Sequence, residues 1–194
     1  MTVLALLQEL LREQELTLGQ CDVLAFGSGP GSFTGVRTAC GLAQGLAFGA
    51  NLPVVPVVTL LAMADAARTQ GAGDNVIAVL DARMGEVYWA QYRFDEQWQI
   101  VSAPCLSAPE QVITDDASCA VGNGLAAYAD RFSALPSVRR LPELMPHASQ
   151  IALLGRQFAQ QGQCVHAREA QPLYLRNKVA LTTEERTAAL GASA

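Results

Sequence analysis

Charge is scarce in this sequence: Asp, Glu, Lys and Arg together make up 16% of 194 residues, against 51% hydrophobic residues. So apolar a composition excludes a disordered chain and is enough for one large domain or two small ones with real cores. Few charges on such a chain also imply that a partner covers part of its surface. The 13 basic residues are scattered, with the densest groups at Arg139-Arg140 and at Arg176 with Lys178. Together with a net charge of −5, this excludes a long nucleic-acid footprint, because neutralising phosphates takes clustered Lys and Arg. Any RNA would be held mainly by another subunit. His147 and His166 are the only histidines, and neither has an acid at ligand spacing, which excludes an ordinary metal site. The five cysteines (Cys21, Cys40, Cys105, Cys119 and Cys164) include no C-x-x-C pair and are odd in number. That is the pattern of reduced, core-filling thiols in a cytosol. Long hydrophobic runs are missing as well. Nothing approaches the ~20 apolar residues of a membrane span, and Glu9, Arg12 and Glu13 interrupt a first segment with no basic n-region or cleavage site. The expectation is a soluble, cytoplasmic protein.

What is present alternates between helical and strand-like periods. Val3, Leu6, Leu7, Leu10 and Leu11 recur at helical spacing and predict an amphipathic helix at the start. Val23 to Phe26 reads as a buried strand, Gly27 to Gly35 as a glycine-rich loop, and a helix follows to about Gly49. Pro53 to Val58 predicts a strand and Leu60 to Arg68 a helix with Thr59 as its N-cap. Gly71 to Asp74 is the best linker candidate, dividing an incomplete first α/β unit (1–70) from a second (75–180), with a flexible tail at 181–194. In the second unit, Val76 to Asp81 and Glu86 to Phe94 flank a hairpin turn, Arg83-Met84-Gly85, whose glycine supplies positive φ. Trp98 to Ala103 is a third strand, Pro109-Glu110 opens a short helix, and Cys119 to Val121 is a strand followed by a helix through Arg131. Ser149 to Gln160 is a further amphipathic helix. The second unit opens with a three-strand meander; the first has none, so the same unit is expected twice, once incomplete.

Gly29, Gly31, Ser32, Thr34 and Gly35 mark the glycine loop, which follows a strand and opens a helix. Backbone N–H groups there could hold an anion. G-x-x-x-x-G-K-[ST] fails for want of a lysine, and G-x-G-x-x-G fails on register. A tight turn with Thr34 as helix N-cap is the plainer alternative. The following helix carries Gly41, Gly45 and Gly49 four apart. Interior glycines cost about 1 kcal/mol each relative to alanine, so a compensating close approach is expected, either against the chain's own sheet or against another subunit. Asp81, Arg83 and Glu86 cluster at the hairpin turn, as an acid–base set or, more plainly, an ion-paired turn. Ser32 lacks a G-x-S-x-G setting and a nearby histidine, so a serine triad is a poor reading.

The blocks Gly29-Pro30-Gly31-Ser32-Phe33-Thr34-Gly35-Val36-Arg37 and Gly41-Leu42-Ala43-Gln44-Gly45-Leu46-Ala47 resemble the TsaB (YeaZ) family. So do Asp81-Ala82-Arg83-Met84-Gly85-Glu86-Val87-Tyr88-Trp89-Ala90 and Pro172-Leu173-Tyr174-Leu175-Arg176-Asn177. The resemblance implies an actin-like, Hsp70-like ATPase (ribonuclease H-like) fold of two duplicated α/β subdomains. It also implies a non-catalytic paralogue of TsaD, the subunit that carries the metal site and transfers threonylcarbamoyl to tRNA adenosine. TsaB-like proteins pair with TsaD, work with the ATPase TsaE and can self-associate. The surface they use falls here on Thr2 to Glu13 and Val36 to Gly49, which makes Leu6, Leu7, Leu10, Gly41, Gly45 and Gly49 the candidate interface. No catalytic or metal residue is expected, ATP or ADP would enter only with TsaD and TsaE, and tRNA only through the complex.

Family members begin with a strand bearing an Asp-Thr pair and two further strands. Those strands, roughly 30–40 residues with their turns, are expected to be missing ahead of Met1. Two rival functions stay open on the residues: a nucleotide-dependent phosphotransferase of the same fold and, more weakly, a peptidase.

Overall fold

The computed structural model describes residues 3–132, 135 and 138–176. In chain order the elements are α1 (Val3–Glu13), β1 (Leu24–Gly29), α2 (Phe33–Ala50), β2 (Val54–Val58), α3 (Thr59–Thr69), β3 (Asn75–Arg83), β4 (Glu86–Asp95), β5 (Gln97–Ser107), β6 (Cys119–Val121), α4 (Gly124–Ala127), β7 (Arg139–Leu141) and α5 (Ala148–Gln160). Strands β1 and β2 pair in parallel as a two-stranded sheet. The second sheet has the order β5-β4-β3-β6-β7; β3, β4 and β5 form an antiparallel meander, and β6 and β7 run parallel to β3. The fold is thus mixed α/β.

Helix α3 joins the two sheets. Seven of its eleven residues are buried, Leu60 to Ala64 with Ala66 and Ala67, as befits a helix apolar nearly all round. One continuous core contains Val55 and Val57 of β2, the α3 side chains, Val76, Ala78 and Leu80 of β3, and Leu154 of α5. The far face of the larger sheet packs Ile77, Val79, Val87 and Trp89 against Leu125, Phe132 and Leu135. A third cluster lies under α2, where Cys40, Ala43 and Ala47 meet Phe26, Val54, Ala167 and Ala170. Strands β3 and β6 are apolar runs because both faces are covered; β5 lies at an edge and is nowhere fully buried.

The chain after β7 returns to the smaller sheet. Helix α5 packs on β1 and β2, Val165 bridges Val54 antiparallel, and the Leu173 N–H donates to the Ser28 carbonyl at 2.7 Å. The sequence division at Gly71 to Asp74 places this stretch in the second unit, whereas its contacts are with the first sheet. The proposed tail, 181–194, lies outside the described residues.

Several local expectations need correction. Ser32, not Thr34, caps α2: its Oγ accepts from the Gly35 N–H. Thr34 and Gly35 therefore lie inside the first turn of α2, and Gly29 ends β1, leaving Pro30 to Ser32 as the loop proper. Thr59 is the first residue of α3, not its cap, and spends its Oγ1 on the Gly29 N–H at 3.1 Å. The helix expected through Arg131 breaks at Tyr128 (φ −134), giving α4 and then a 3-10 turn at Ala129–Arg131. In the hairpin, Gly85 has the expected positive φ, and Arg83 and Met84 share it.

Candidate functional site

Two surfaces stand out. On the first, α1 has no buried residue. Leu6 and Leu10 are exposed, Leu10 at 56%, and Leu7 is half-buried. Fully burying one such side chain is worth roughly 1.5–3 kcal/mol, so α1 leaves a sizeable apolar face in water. On α2 the buried face is Cys40, Ala43 and Ala47, and the glycines point away from it. A Cβ added at Gly41, Gly45 or Gly49 would meet nothing within 4 Å among the described residues. The alternative in which these glycines flatten α2 against the chain's own sheet is therefore overturned. Beside them Phe48 is 78% exposed.

The second surface is a cleft of about 610 Å³ between the glycine loop and the β3–β4 hairpin. It lies beyond the carboxyl ends of β1, β2, β3 and β6, where α/β sheets usually receive ligands. Gly31, Ser32 and Phe33 form one wall, Asp81 to Met84 the other, and Leu173 to Arg176 run along the rim. Gly29 has φ +104, and a Cβ there would come 3.2 Å from the Leu173 carbonyl oxygen. Only glycine lets the 172–176 segment, a strap along the rim, approach β1 this closely.

The charged groups of the cleft are already paired. Asp81 accepts from the Tyr128 hydroxyl at 3.0 Å and from the Arg83 N–H at 2.7 Å, and its Oδ2 meets the Arg83 guanidinium at 3.0 Å. Glu86 turns instead to Arg176, at 2.8 Å. The trio Asp81, Arg83 and Glu86 is thus split between two ion pairs, the arrangement of a braced turn. Desolvation, then the hydrogen bond to Asp81, raises the Tyr128 pKa. Burial likewise pushes up the Cys40, Cys105 and Cys119 thiols, away from the thiolate a nucleophile needs. Among the described residues no cluster of three or more His, Cys, Asp and Glu could hold a metal. No helix among them is long and apolar enough to cross a membrane.

A family model described as TsaD, tRNA N6-adenosine threonylcarbamoyltransferase, matches residues 2–182. The tRNA threonylcarbamoyladenosine biosynthesis protein TsaB of Haemophilus influenzae is 41% identical over 189 residues, spanning 91% of this chain and 79% of its own length. Its namesake in Escherichia coli is 39% identical over 92% of this chain and 80% of its own. The chain belongs to the TsaB family. Solved structures agree: YeaZ from Pseudomonas aeruginosa superposes with a TM-score of 0.84 at 35% identity, covering 89% of this chain and 83% of that one. A second structure from the same organism, of a protein with similarity to peptidase YEAZ, gives the same score over 90% and 82%.

Within this TsaB-family chain, the structure places Leu6 and Leu10 with the three α2 glycines among the exposed residues, and Gly31 and Ser32 on the cleft. Sequence reasoning missed the partners that tie the cleft together: Thr59 beneath Gly29, Tyr128 on Asp81, and Tyr174 on Arg37. Tyr174 and Arg176 both lie in the last block of the family resemblance, which was the available signal. Their roles needed contacts between residues far apart in sequence.

Proposed function

We propose that this chain serves threonylcarbamoyladenosine modification of tRNA as a non-catalytic subunit that binds and supports a TsaD-type transferase, together with TsaE. Two observations carry the reading together: α1 leaves a leucine face uncovered, and α2 has an open glycine face. The names of the relatives supply the pathway. The committed state of Asp81 and Glu86 supports a scaffolding part rather than acid–base work. On this reading the fold is a duplicated actin-like, Hsp70-like one. The chain works in the cytoplasm, nucleotide is held only in the complex, and tRNA is reached only through the partner. The same surface supports self-association when the partner is absent.

Gly45→Leu tests it by placing a branched side chain on the open face. Helicity of the isolated chain stays intact, and co-purification with the TsaD-type subunit is lost. Pairing that survives the substitution counts against the proposal. ATP turnover by the chain alone, lost on replacing Gly31, would favour the phosphotransferase instead.

A further inference from the structure

The exposed face of α2 changes character along its length. Phe33, Arg37, Gly41, Gly45 and Gly49 follow one another at four-residue steps and form one slowly winding stripe. Its later part is flattened by the glycines, while its beginning holds a cation in a fixed pose. The Arg37 guanidinium carbon lies 3.7 Å from the Phe33 ring centroid and 5.5 Å from that of Tyr174. Arg37 Nε donates to the Tyr174 hydroxyl at 2.8 Å. Phe33 and Tyr174 are themselves in contact, with ring centroids 6.2 Å apart. Two aromatic contacts and one hydrogen bond orient the guanidinium plane. Because the bond uses Nε, the pair of Nη groups keeps donors to spare.

Arg68, Arg83, Arg93, Arg131, Arg168 and Arg176 each meet a carboxylate. Arg37, like Arg12, Arg139, Arg140 and Arg156, has no ion pair among the described residues; of these five it is the one set over aromatic rings, in a chain whose net charge is −5. Helix α2 contains no Asp or Glu of its own.

We infer that Arg37 is a preformed carboxylate receptor, taking an Asp or Glu side chain of the partner subunit that docks on α2; this rests on the docking reading above. A guanidinium fork receives a carboxylate through two parallel hydrogen bonds, which a lysine cannot reproduce. Having been immobilised beforehand, it gives up little conformational freedom on binding, and Arg set beside Tyr is the usual make-up of an interface anchor. Two-fold pairing of α2 against α2 brings no carboxylate, so a second copy could supply one only from Glu9 or Glu13 of α1. RNA fits less well, because Phe33, Thr34, Thr38 and Gly41 place no further cation on this face.

The experiment is titration calorimetry of the full chain against the TsaD-type subunit, at low and high salt, with Gly45→Leu run alongside. Arg37→Glu is expected to weaken association roughly 100-fold and Arg37→Lys roughly 10-fold, the lysine keeping the charge and losing the fork. Tyr174→Phe releases Nε and costs a few-fold. Unchanged circular dichroism separates these losses from misfolding, and Arg37→Lys serves if the glutamate variant does not fold. Association indifferent to both Arg37 variants but abolished by Gly45→Leu overturns the receptor and leaves the docking surface standing. Indifference to all of them overturns both. If Arg37→Glu spares subunit association and instead weakens tRNA retention by the assembled complex, the fork holds a phosphate and the inference is wrong.

Discussion

Gly155 on α5 faces Ala25 on β1 so closely that a Cβ added to the glycine would lie 2.3 Å from the alanine Cβ. The helix backbone rests directly on the strand there, which sets the height of α5 above the smaller sheet. Gly155→Ala gains about 1 kcal/mol of helix propensity but forces α5 off its seat, and overpacking costs about 1–3 kcal/mol. A net loss of stability is expected in urea unfolding. Gly45→Ala, with open space at the same substitution, is expected to stabilise the isolated chain by about 0.5–1 kcal/mol. Equal responses from the two glycines would contradict the packing described.

Gly122 poses a harsher constraint. It has φ +107, and a Cβ would fall 2.3 Å from the Val79 carbonyl oxygen. Val79 lies mid-strand in β3, where it pairs with Trp89, so its backbone cannot give way. Gly122→Ala is expected to cost more than about 3 kcal/mol and to leave the chain largely insoluble. A soluble variant with an unshifted thermal transition refutes the geometry.

Arg176 ties the rim of the cleft together. Its Nη2 meets Glu86 at 2.8 Å and the Ala82 carbonyl at 3.1 Å, and its side chain is only 13% exposed. Arg176→Ala is expected to lower stability by about 1–2 kcal/mol. Glu86→Gln costs less, because the bond to the Ala82 carbonyl survives and the glutamate is the more exposed partner. Limited proteolysis of the 172–176 strap should quicken in the first variant and hardly in the second.

Glu110 and Arg131 give a pH signature. The side-chain hydrogen bond from Arg131 is the largest influence holding the Glu110 carboxyl below the ordinary glutamate range; one of the two contacts, Nη2 to Oε2, is 2.9 Å. A depressed carboxyl contributes its stabilisation above the unfolded pKa and loses it as pH falls through the folded one. The pair is exposed, so the effect on unfolding is small. It is best followed by NMR titration, where Arg131→Gln should move the Glu110 pKa upward, toward the ordinary range, with the backbone hydrogen bond still holding it down in part. No movement in that variant would mean the pair does not form in solution.

Much of the chain was legible from local pattern. The meander β3–β4–β5 followed from two apolar runs around Arg83-Met84-Gly85, and α2 followed from its loop and glycine spacing. Caps were less legible. Ser32 and Thr34 are both plausible N-caps, and Ser32 takes the role because β1 continues to Gly29 and leaves only three residues of loop. Thr59 looked like a cap by type, yet it starts α3 and holds Gly29, because β2 runs without a break into that helix. The split of Asp81 and Glu86 between Arg83 and Arg176 was not legible at all, since Arg176 arrives from ninety residues away.

By itself the sequence determined which segments are helix and strand, which faces are apolar, and the family to which the chain belongs, because periodicity, turn chemistry and residue blocks are local properties. The tertiary structure decided that the α2 glycines face open space, that α5 and the strap return to the smaller sheet, and that Arg37 is held between Phe33 and Tyr174. Those outcomes depend on which surfaces meet after the chain has folded back on itself, and spacing along a single strand or helix carries no record of that.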